Sequence, residues 1–307
     1  MFRLAHLSDI HMGPLPKVRR RELMSKRITG YINWQRSRAK SMGGDVLKGL
    51  VDHIHGAAPD HIAVTGDLVN LALDAEVILA RTWLGTVGEP RDVSVVPGNH
   101  DAYVPGALER IRTAWQPYMT GDDHRAGPAT FPYLRRREKD GVPVALIGVN
   151  SGRATAPFMS TGSFRSQQRK LTAALLTTNR DAFRVVMIHH PPAKDATSYS
   201  KRLVGSSSFR RMIAETGADL VLHGHTHLAT QDEIAGPDGP VPVIGVASAS
   251  AGTKPGSSKP AARYNLFHIG GERGAWTCRQ EEWGYGEGLD GVEMIAARDL
   301  EFIRSAE

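Results

Sequence analysis

Five short clusters of polar residues follow apolar runs in this chain, and they carry side chains that bind metal ions. The clusters are Asp9-Ile10-His11, Gly66-Asp67, Gly98-Asn99-His100-Asp101, His189-His190-Pro191 and Gly224-His225-Thr226-His227. They offer carboxylate, imidazole and amide ligands but no thiolate, because the one cysteine of the chain, Cys278, lies outside them. A mixed set of oxygen and nitrogen ligands suits hard to borderline divalent metals that catalyse hydrolysis.

Two of the clusters have a spacing that suits chelation. Asp9 and His11, like His225 and His227, are two residues apart, and at the end of a strand such residues share one face. Either pair alone is better explained by a carboxylate at a helix N-terminus or by surface histidines. The recurrence of five such clusters in one chain favours the metal site over this alternative. Glycines, which let the backbone turn sharply, precede three clusters, at Gly66, Gly98 and Gly224.

The elements that must position these side chains follow an alternating pattern. We predict strands at Phe2–Leu7, His61–Thr65, Asp92–Val96, Val142–Val149, Phe183–Ile188 and Asp219–Leu222. We predict helices at Val46–Ile54, Asp74–Val87, Leu108–Tyr118, Ser163–Leu176 and Ser207–Thr216. Strands that alternate with helices imply parallel pairing, and ligands of such sheets lie beyond the carboxyl ends of the strands, where the clusters fall.

The last part of the chain has a different pattern. Val241–Ser248, Arg263–Ile269 and Ala275–Arg279 indicate antiparallel strands without intervening helices. They predict a second antiparallel layer or sheet beside the parallel one.

The five motifs together resemble those of the calcineurin-like metallophosphoesterase family. They occur in the family's order from Asp9 to His227, which is roughly three quarters of the chain. The His-His-Pro-Pro run at 189–192 resembles the bacterial branch that includes cyclic-nucleotide phosphodiesterases and glycerophosphodiesterases. The resemblance implies an α/β fold, a four-layer α/β/β/α sandwich with two mixed central sheets and the metal site at the carboxyl ends of the strands.

The resemblance also implies a centre of two metal ions. Asp9, His11 and His227 would hold one ion, and Asn99, His189 and His225 would hold the other. Asp67 would bridge both ions through its carboxylate. The family's metals are commonly Mn, Fe, Zn or Co, and the sequence does not choose among them.

Two further residues receive catalytic roles from the resemblance. His100 would face the substrate, either as the general acid for the leaving alkoxide or as a positively charged donor to a phosphate oxygen. Asp101 would orient His100. His190 has two interpretations, a contact to substrate or a structural role at the strand end, and we favour the structural one.

The implied activity is hydrolysis of a phosphodiester by a hydroxide that bridges the metals. The substrate would be a cyclic nucleotide, a glycerophosphodiester or a phospholipid head group. The alternatives are a phosphomonoesterase and a metal-binding scaffold of the same fold without catalysis.

A basic segment at about 12–42 is the second distinctive feature of the chain. Of 38 Lys and Arg and 32 Asp and Glu, this segment holds nine and one, which leaves 29 against 31 elsewhere. Met24, Ile28, Tyr31 and Ile32 have helical spacing, so we predict an amphipathic helix inserted into a single domain that spans residues 1–307.

Three interpretations of the Lys17–Lys40 segment compete. It is a solvated helix packed on the domain, a flap at the substrate or oligomer interface, or a docking surface for an anionic membrane. Nucleic acid is not favoured as a partner, although cations also attract its phosphates. Neither a signal peptide nor an apolar run of about 18 residues is evident, so we expect a cytoplasmic protein, peripheral at the inner membrane face if the third interpretation holds.

Overall fold

Short buried strands that alternate with amphipathic helices build most of the fold. The computed structural model describes residues 1–35, 44–124, 126–252, 256, 258–286 and 291–302. The strands are β1 (Phe2–Leu7), β2 (His61–Val64), β3 (Val93–Val95), β4 (Tyr133–Lys139), β5 (Val142–Gly148), β6 (Gly162–Ser163), β7 (Phe183–Met187), β8 (Leu203–Val204), β9 (Leu220–His223), β10 (Thr230–Ala235), β11 (Pro240–Gly245), β12 (Arg263–Gly270), β13 (Thr277–Tyr285) and β14 (Val292–Leu300). The helices are α1 (Arg27–Asn33), α2 (Gly44–Ala57), α3 (Asp74–Val87), α4 (Ala107–Ala114), α5 (Ser166–Thr178) and α6 (Ser206–Thr216), with 3₁₀ turns at Arg20–Leu23, Gln116–Tyr118 and Tyr199–Lys201.

The strands form two mixed sheets of six strands each among the described residues, and β6 pairs with β8 separately. The first sheet has the order β14-β13-β12-β1-β2-β3, with β1, β2 and β3 parallel and β12 antiparallel to β1. The second has the order β10-β11-β9-β7-β5-β4, with β11, β9, β7 and β5 parallel. The sandwich predicted from the family resemblance is confirmed.

Three apolar cores separate four layers. Side chains of α2, α3 and α4 pack on the outer face of the first sheet, as Leu50, Leu84 and Ile111 do. The middle core contains side chains of both sheets, such as Leu4 and Val185. Helices α5 and α6 cover the second sheet in a third core. Because the middle of each sheet is buried on both faces, the central strands β1, β2, β5, β7 and β9 have mostly apolar sequences.

The two sheets meet at the carboxyl ends of their parallel strands. Ser8, just after β1, forms an isolated parallel bridge with Ser248, which follows β11. The hydroxyl of Ser248 donates to the carbonyl oxygen of Asp9 over 2.6 Å. Every metal-binding cluster seen in the sequence follows one of the strands β1, β2, β3, β7 and β9, so all five open onto this junction.

The predicted elements of the α/β part are confirmed within a few residues, with one shift. The helix predicted from Ser163 begins at Ser166, because 162–163 pair as β6. Strands β4, β10 and β14 were not predicted, since their polar and charged residues hide the apolar alternation. The tail does not form a sheet of its own, because β12 to β14 extend the first sheet and β10 and β11 extend the second.

The basic segment differs from the long amphipathic helix that we predicted. Its described part has only the turn Arg20–Leu23 and the two-turn helix α1, and residues 36–43, with Arg36, Arg38 and Lys40, lie outside the described residues. Tyr31 packs against the first core, whereas Met24, Ile28 and Ile32 are exposed. None of the helices in the described ranges has the length and hydropathy that a bilayer span requires.

Candidate metal centre

The seven ligands predicted from the sequence converge where the two sheets meet. Two triads of potential ligand atoms, Asp9 with His11 and His227, and Asp67 with His189 and His225, each lie within 4.8 Å of one another. Asn99 joins the second group, since its Oδ1 is 3.2 Å from Nε2 of His189. The first group draws on both sheets, because His227 follows β9 whereas Asp9 and His11 follow β1.

The first group has the geometry of donors around a common point. The Nε2 atoms of His11 and His227 are 3.2 Å apart, and they lie 3.7 and 3.0 Å from Oδ1 of Asp9. Within the described residues this Oδ1 atom is buried and has no well-directed hydrogen bond. A buried carboxylate oxygen costs several kcal/mol without a partner, and a cation between these three atoms would supply one.

Asp67 lies between the two groups. Its Oδ2 atom is 3.8 Å from Nε2 of His11 and 3.4 Å from Nε2 of His189. Its other oxygen, Oδ1, accepts the backbone N–H of His100 over 2.7 Å. One carboxylate oxygen therefore faces a ligand of each predicted ion, as a bridging carboxylate must.

Strained backbone conformations aim these side chains. Positive φ angles, which cost non-glycine residues about 1 kcal/mol or more, occur at Asp9 (55°), His11 (42°), Asp67 (55°), His225 (70°) and His227 (58°). The loop after β3 approaches Asp67 so closely that position 98 must be glycine. A side chain at Gly98 would collide with the carboxylate of Asp67. Such strain persists only where the surrounding fold fixes the backbone, so the packing around these loops must hold them in place.

Backbone carbonyls orient three of the histidines. His11 and His189 bond through Nδ1 to the carbonyl oxygens of Val69 and Thr65, over 3.2 and 2.7 Å. These bonds put the proton on Nδ1 and leave the lone pair of Nε2 for the centre. His225 is reversed: its Nε2 bonds to the carbonyl oxygen of Lys201 over 3.0 Å, so its Nδ1 is left as the ligand atom.

The charges of the centre favour a cation. Burial alone would raise the pKa of Asp9, but the positive charge of His227 outweighs it and holds the pKa well below its usual range. Burial would lower the pKa of His189, yet the charge of Asp67 raises it to about 9. The negative charge of Asp67 thus favours a positive charge beside it, which a divalent ion would supply.

His100 stands beside the centre with one nitrogen fixed. Its Nδ1 is 2.6 Å from the carbonyl oxygen of Asn70 and can only donate there. Nε2 is therefore the nitrogen that faces the centre, where His11, Asp67 and His100 bring ligand atoms within 4.8 Å of one another. His100 can present a proton on Nε2 only as an imidazolium, and the carbonyl of Asn70 stabilises that charged form.

Asp101 contacts the backbone of the loops on either side of His100. Its carboxylate accepts four backbone N–H groups, from Asp67, Leu68, Val69 and Gly98, over 2.8 to 3.3 Å. Burial and the charge of Asp67 raise its pKa to about 7, against the effect of these N–H groups. Asp101 therefore holds the loop after β2 to the loop after β3. That Asp101 orients the ring of His100 stays a prediction.

Asn70 and Glu76 are parts of the site that the sequence reasoning missed. The side chain of Asn70 donates to the carbonyl oxygen of Met12 over 2.8 Å, and its backbone N–H donates to the buried Glu76 over 2.8 Å. Asn70 acts through its backbone carbonyl, and such a role leaves no mark on residue type. The only available signal was its position three residues after Asp67.

His190 has both ring nitrogens occupied. Nδ1 is 2.8 Å from the hydroxyl of Ser151, and Nε2 is 3.0 Å from the carbonyl oxygen of Ser160. No ring nitrogen remains for a metal or a substrate. The structural interpretation of His190 follows from these contacts.

The geometry agrees with a match to a known protein family. The sequence model of calcineurin-like phosphoesterases matches residues 2–229. The chain belongs to the calcineurin-like phosphoesterase family. This range contains every proposed ligand, from Asp9 to His227, and the donors around Asp9 and Asp67 fit the two metal ions that the family implies. A search of curated proteins found no match.

Solved structures show the same fold at low sequence identity. A purple acid phosphatase from yellow lupin (Lupinus luteus) is 10% identical, with a TM-score of 0.55 over 97% of this chain and 53% of that one. A 5′-nucleotidase precursor from Thermus thermophilus is 14% identical, with a TM-score of 0.50 over 97% and 53%. This chain thus spans about half the length of both proteins. At such identities the likeness concerns the fold alone.

Proposed function

We propose that this protein is a metal-dependent phosphoesterase with a dinuclear centre. The observation that carries the proposal is the position of Asp67, whose Oδ2 lies between His11 of one ligand group and His189 of the other. Two bound divalent cations would acidify a shared water and offset negative charge on the phosphoryl oxygens. Asp9, His11 and His227 would hold one cation and Asn99, His189 and His225 the other.

The remaining chemistry falls to His100. In the imidazolium form its Nε2–H faces the centre, so it can give a proton to the leaving oxygen or donate to a phosphoryl oxygen. The bond from Nδ1 to the carbonyl of Asn70 keeps the ring in this orientation. Asp67 adds to the same arrangement, because it accepts the backbone N–H of His100.

We further propose that the substrate is a phosphodiester: a cyclic nucleotide, a glycerophosphodiester or a phospholipid head group. The His-His-Pro-Pro run at 189–192 supports this choice through its resemblance to the bacterial phosphodiesterase branch. A phosphomonoester is the competing substrate, since two proteins of the same fold are named as a phosphatase and a nucleotidase.

Turnover of chromogenic esters tests this proposal. Protein loaded in turn with Mn, Fe, Zn or Co is assayed with bis(p-nitrophenyl) phosphate and with p-nitrophenyl phosphate, with metal content measured on each sample. We expect higher kcat/KM for the diester. Higher kcat/KM for the monoester would contradict diester preference, and two bound metals without turnover of either ester would indicate a non-catalytic scaffold.

We also propose that the face around α1 docks on an anionic membrane at the cytoplasmic side. Helix α1 exposes its apolar residues, Ile28 by 50% and Ile32 by 41%. Met24, three residues before α1, is 85% exposed, and Phe158, next to the Met159 carbonyl that accepts from Lys26, is 88% exposed. The exposed cations Arg19 to Arg21 shortly precede Met24 and α1 in the chain. An exposed apolar patch beside cations is the combination that anionic bilayers bind.

A further inference from the structure

Lys26 differs from the cations that precede it in the basic segment. Arg19, Arg20 and Arg21 are exposed, whereas Lys26 is half-buried and turned toward the protein. Its Nζ donates to the hydroxyl of Thr155 and to the carbonyl oxygen of Met159, over 2.7 Å each. Two of its three N–H groups thus bond to the 155–159 loop, which favours this position of the ammonium over a solvated one.

A row of rings connects Lys26 to the metal centre. Nζ lies 4.7 Å from the centroid of the Tyr103 ring. Tyr103 stacks on His100 with 5.3 Å between centroids, and His100 stands edge-on to His11 at 4.7 Å. Helix α1 has Gly30 where a side chain would collide with the Tyr103 hydroxyl, so the helix can pack closely here. The ammonium therefore borders the site on the His100 side, one ring beyond the proton donor.

The charge of Lys26 is not balanced locally. Among the described residues, no carboxylate oxygen lies within 4.0 Å of its Nζ. Burial lowers its pKa to about 8, and the opposing charge comes from Asp67. A half-buried ammonium with no carboxylate beside it would be stabilised by a bound anion, since burial of an unpaired charge is costly.

We propose that Lys26, with Tyr103 and Thr155 around it, forms a subsite for a second anionic group of the substrate. The group has anionic oxygens, as in a second phosphate or a carboxylate, and is separate from the phosphoryl that the metal ions would hold. Its position follows from the rings of His100 and Tyr103, which lie between His11 and the ammonium. This subsite rests on the proposed function and narrows its substrates to esters with two negatively charged groups.

Binding of compounds that cannot be hydrolysed tests the subsite without turnover. Titration calorimetry on Mn-loaded protein compares a series of straight-chain alkylphosphonates with the bisphosphonates and phosphono-carboxylates of the same lengths. We expect at least one doubly anionic compound to bind about tenfold tighter or more than its matched alkylphosphonate, as one charge-assisted hydrogen bond allows. The better of the two doubly anionic series identifies the second group as phosphate or carboxylate.

Three variants assign the preference to Lys26. Lys26→Met should remove it, Lys26→Arg should keep part of it, and the exposed control Arg20→Met should leave it unchanged, with metal content and circular dichroism equal to wild type. A preference that survives in Lys26→Met, or that Arg20→Met also removes, would overturn the subsite. Equal binding of both compound classes by wild type would overturn it as well. Failure of wild type to bind any alkylphosphonate would instead contradict the proposed phosphoryl site.

Discussion

His100 owes its orientation to a peptide carbonyl. The carbonyl oxygen of Asn70 accepts the N–H of Nδ1, so only Nε2 of His100 is left to act on the substrate. We expect His100→Ala to retain both metal ions and to lose about a hundredfold to ten-thousandfold in kcat, as removal of a general acid does. Metal analysis and steady-state kinetics check this, with His124→Ala in an exposed loop as the control. Unchanged kcat at full metal content would rule out the catalytic role.

Asp101 should matter for stability and not for proton transfer. In Asp101→Asn one side-chain oxygen becomes an NH₂ group that faces backbone N–H donors, so two of its hydrogen bonds become repulsive. We expect a loss of about 3 kcal/mol or more in the free energy of unfolding, together with weaker metal binding. Urea unfolding measures this, with the exposed Asp123→Asn as the control. Wild-type stability with an altered pH profile of kcat would instead support the predicted role of Asp101 in orienting His100.

For single residues, the sequence predicts a role in the site only where that role requires a particular side chain. Metal ligation needs carboxylates, imidazoles or amides at strand ends, so Asp9 and His227 could be singled out from the sequence alone. Positioning by the backbone has no such signature. The carbonyl of Asn70 and the N–H groups around Asp101 would be available from almost any residue, and only the folded loops show which ones are used.

At the scale of elements, helix α1 contradicts the usual rule for amphipathic helices. Its apolar residues Ile28 and Ile32 face outward, while Arg27 turns inward and donates to the carbonyl oxygens of Leu71 and Ala72 over 2.9 and 2.5 Å. The periodicity of the sequence grouped the two isoleucines with Tyr31 and Met24, but Tyr31 packs against the first core and Met24 precedes the helix. It could not tell which side of the helix faces the protein, because carbonyls of the loop after β2 decide that.

The outward orientation of these apolar residues allows membrane docking to be tested by substitution. We expect the wild-type protein to sediment with phosphatidylglycerol vesicles and the double variant Met24→Gln, Phe158→Gln to bind them at least tenfold more weakly. Burial of each apolar side chain contributes about 1.5–3 kcal/mol, which supports a loss of this size. Vesicles of phosphatidylcholine alone should bind the wild type weakly, because they offer the cations Arg19 to Arg21 no negative charge.

The matched control for docking is Leu171→Gln, Met294→Gln, which replaces two exposed apolar residues, one on α5 over the second sheet and one on β14 at the edge of the first sheet. This variant should bind vesicles as the wild type does. Equal losses in both double variants would show that general hydrophobicity, and not this face, drives binding. Dimers of the wild type in sedimentation velocity that dissociate in the Met24, Phe158 variant would assign the face to a second copy of the chain.

At the scale of the whole molecule, strands beyond the family match complete both sheets. β12 pairs with β1 from Phe2 to His6, and β11 pairs with β9, so residues after 229 lie beside the strands that carry the ligands. We propose that residues 1–307 form a single domain. Deletion of residues 263–307 should expose the edge of β1 and abolish cooperative thermal unfolding. A truncated protein that unfolds cooperatively and retains two metal ions would contradict this.

The central claim is that seven side chains from five strand ends hold two ions with Asp67 shared between them. Anomalous X-ray scattering from crystals grown with Mn or Zn, recorded at the metal's absorption edge, tests it most directly. We predict two peaks, one among Asp9, His11 and His227 and the other among Asn99, His189 and His225, with a carboxylate oxygen of Asp67 bound to both. A single peak, peaks at other residues, or an Asp67 that binds only one ion would contradict the claim.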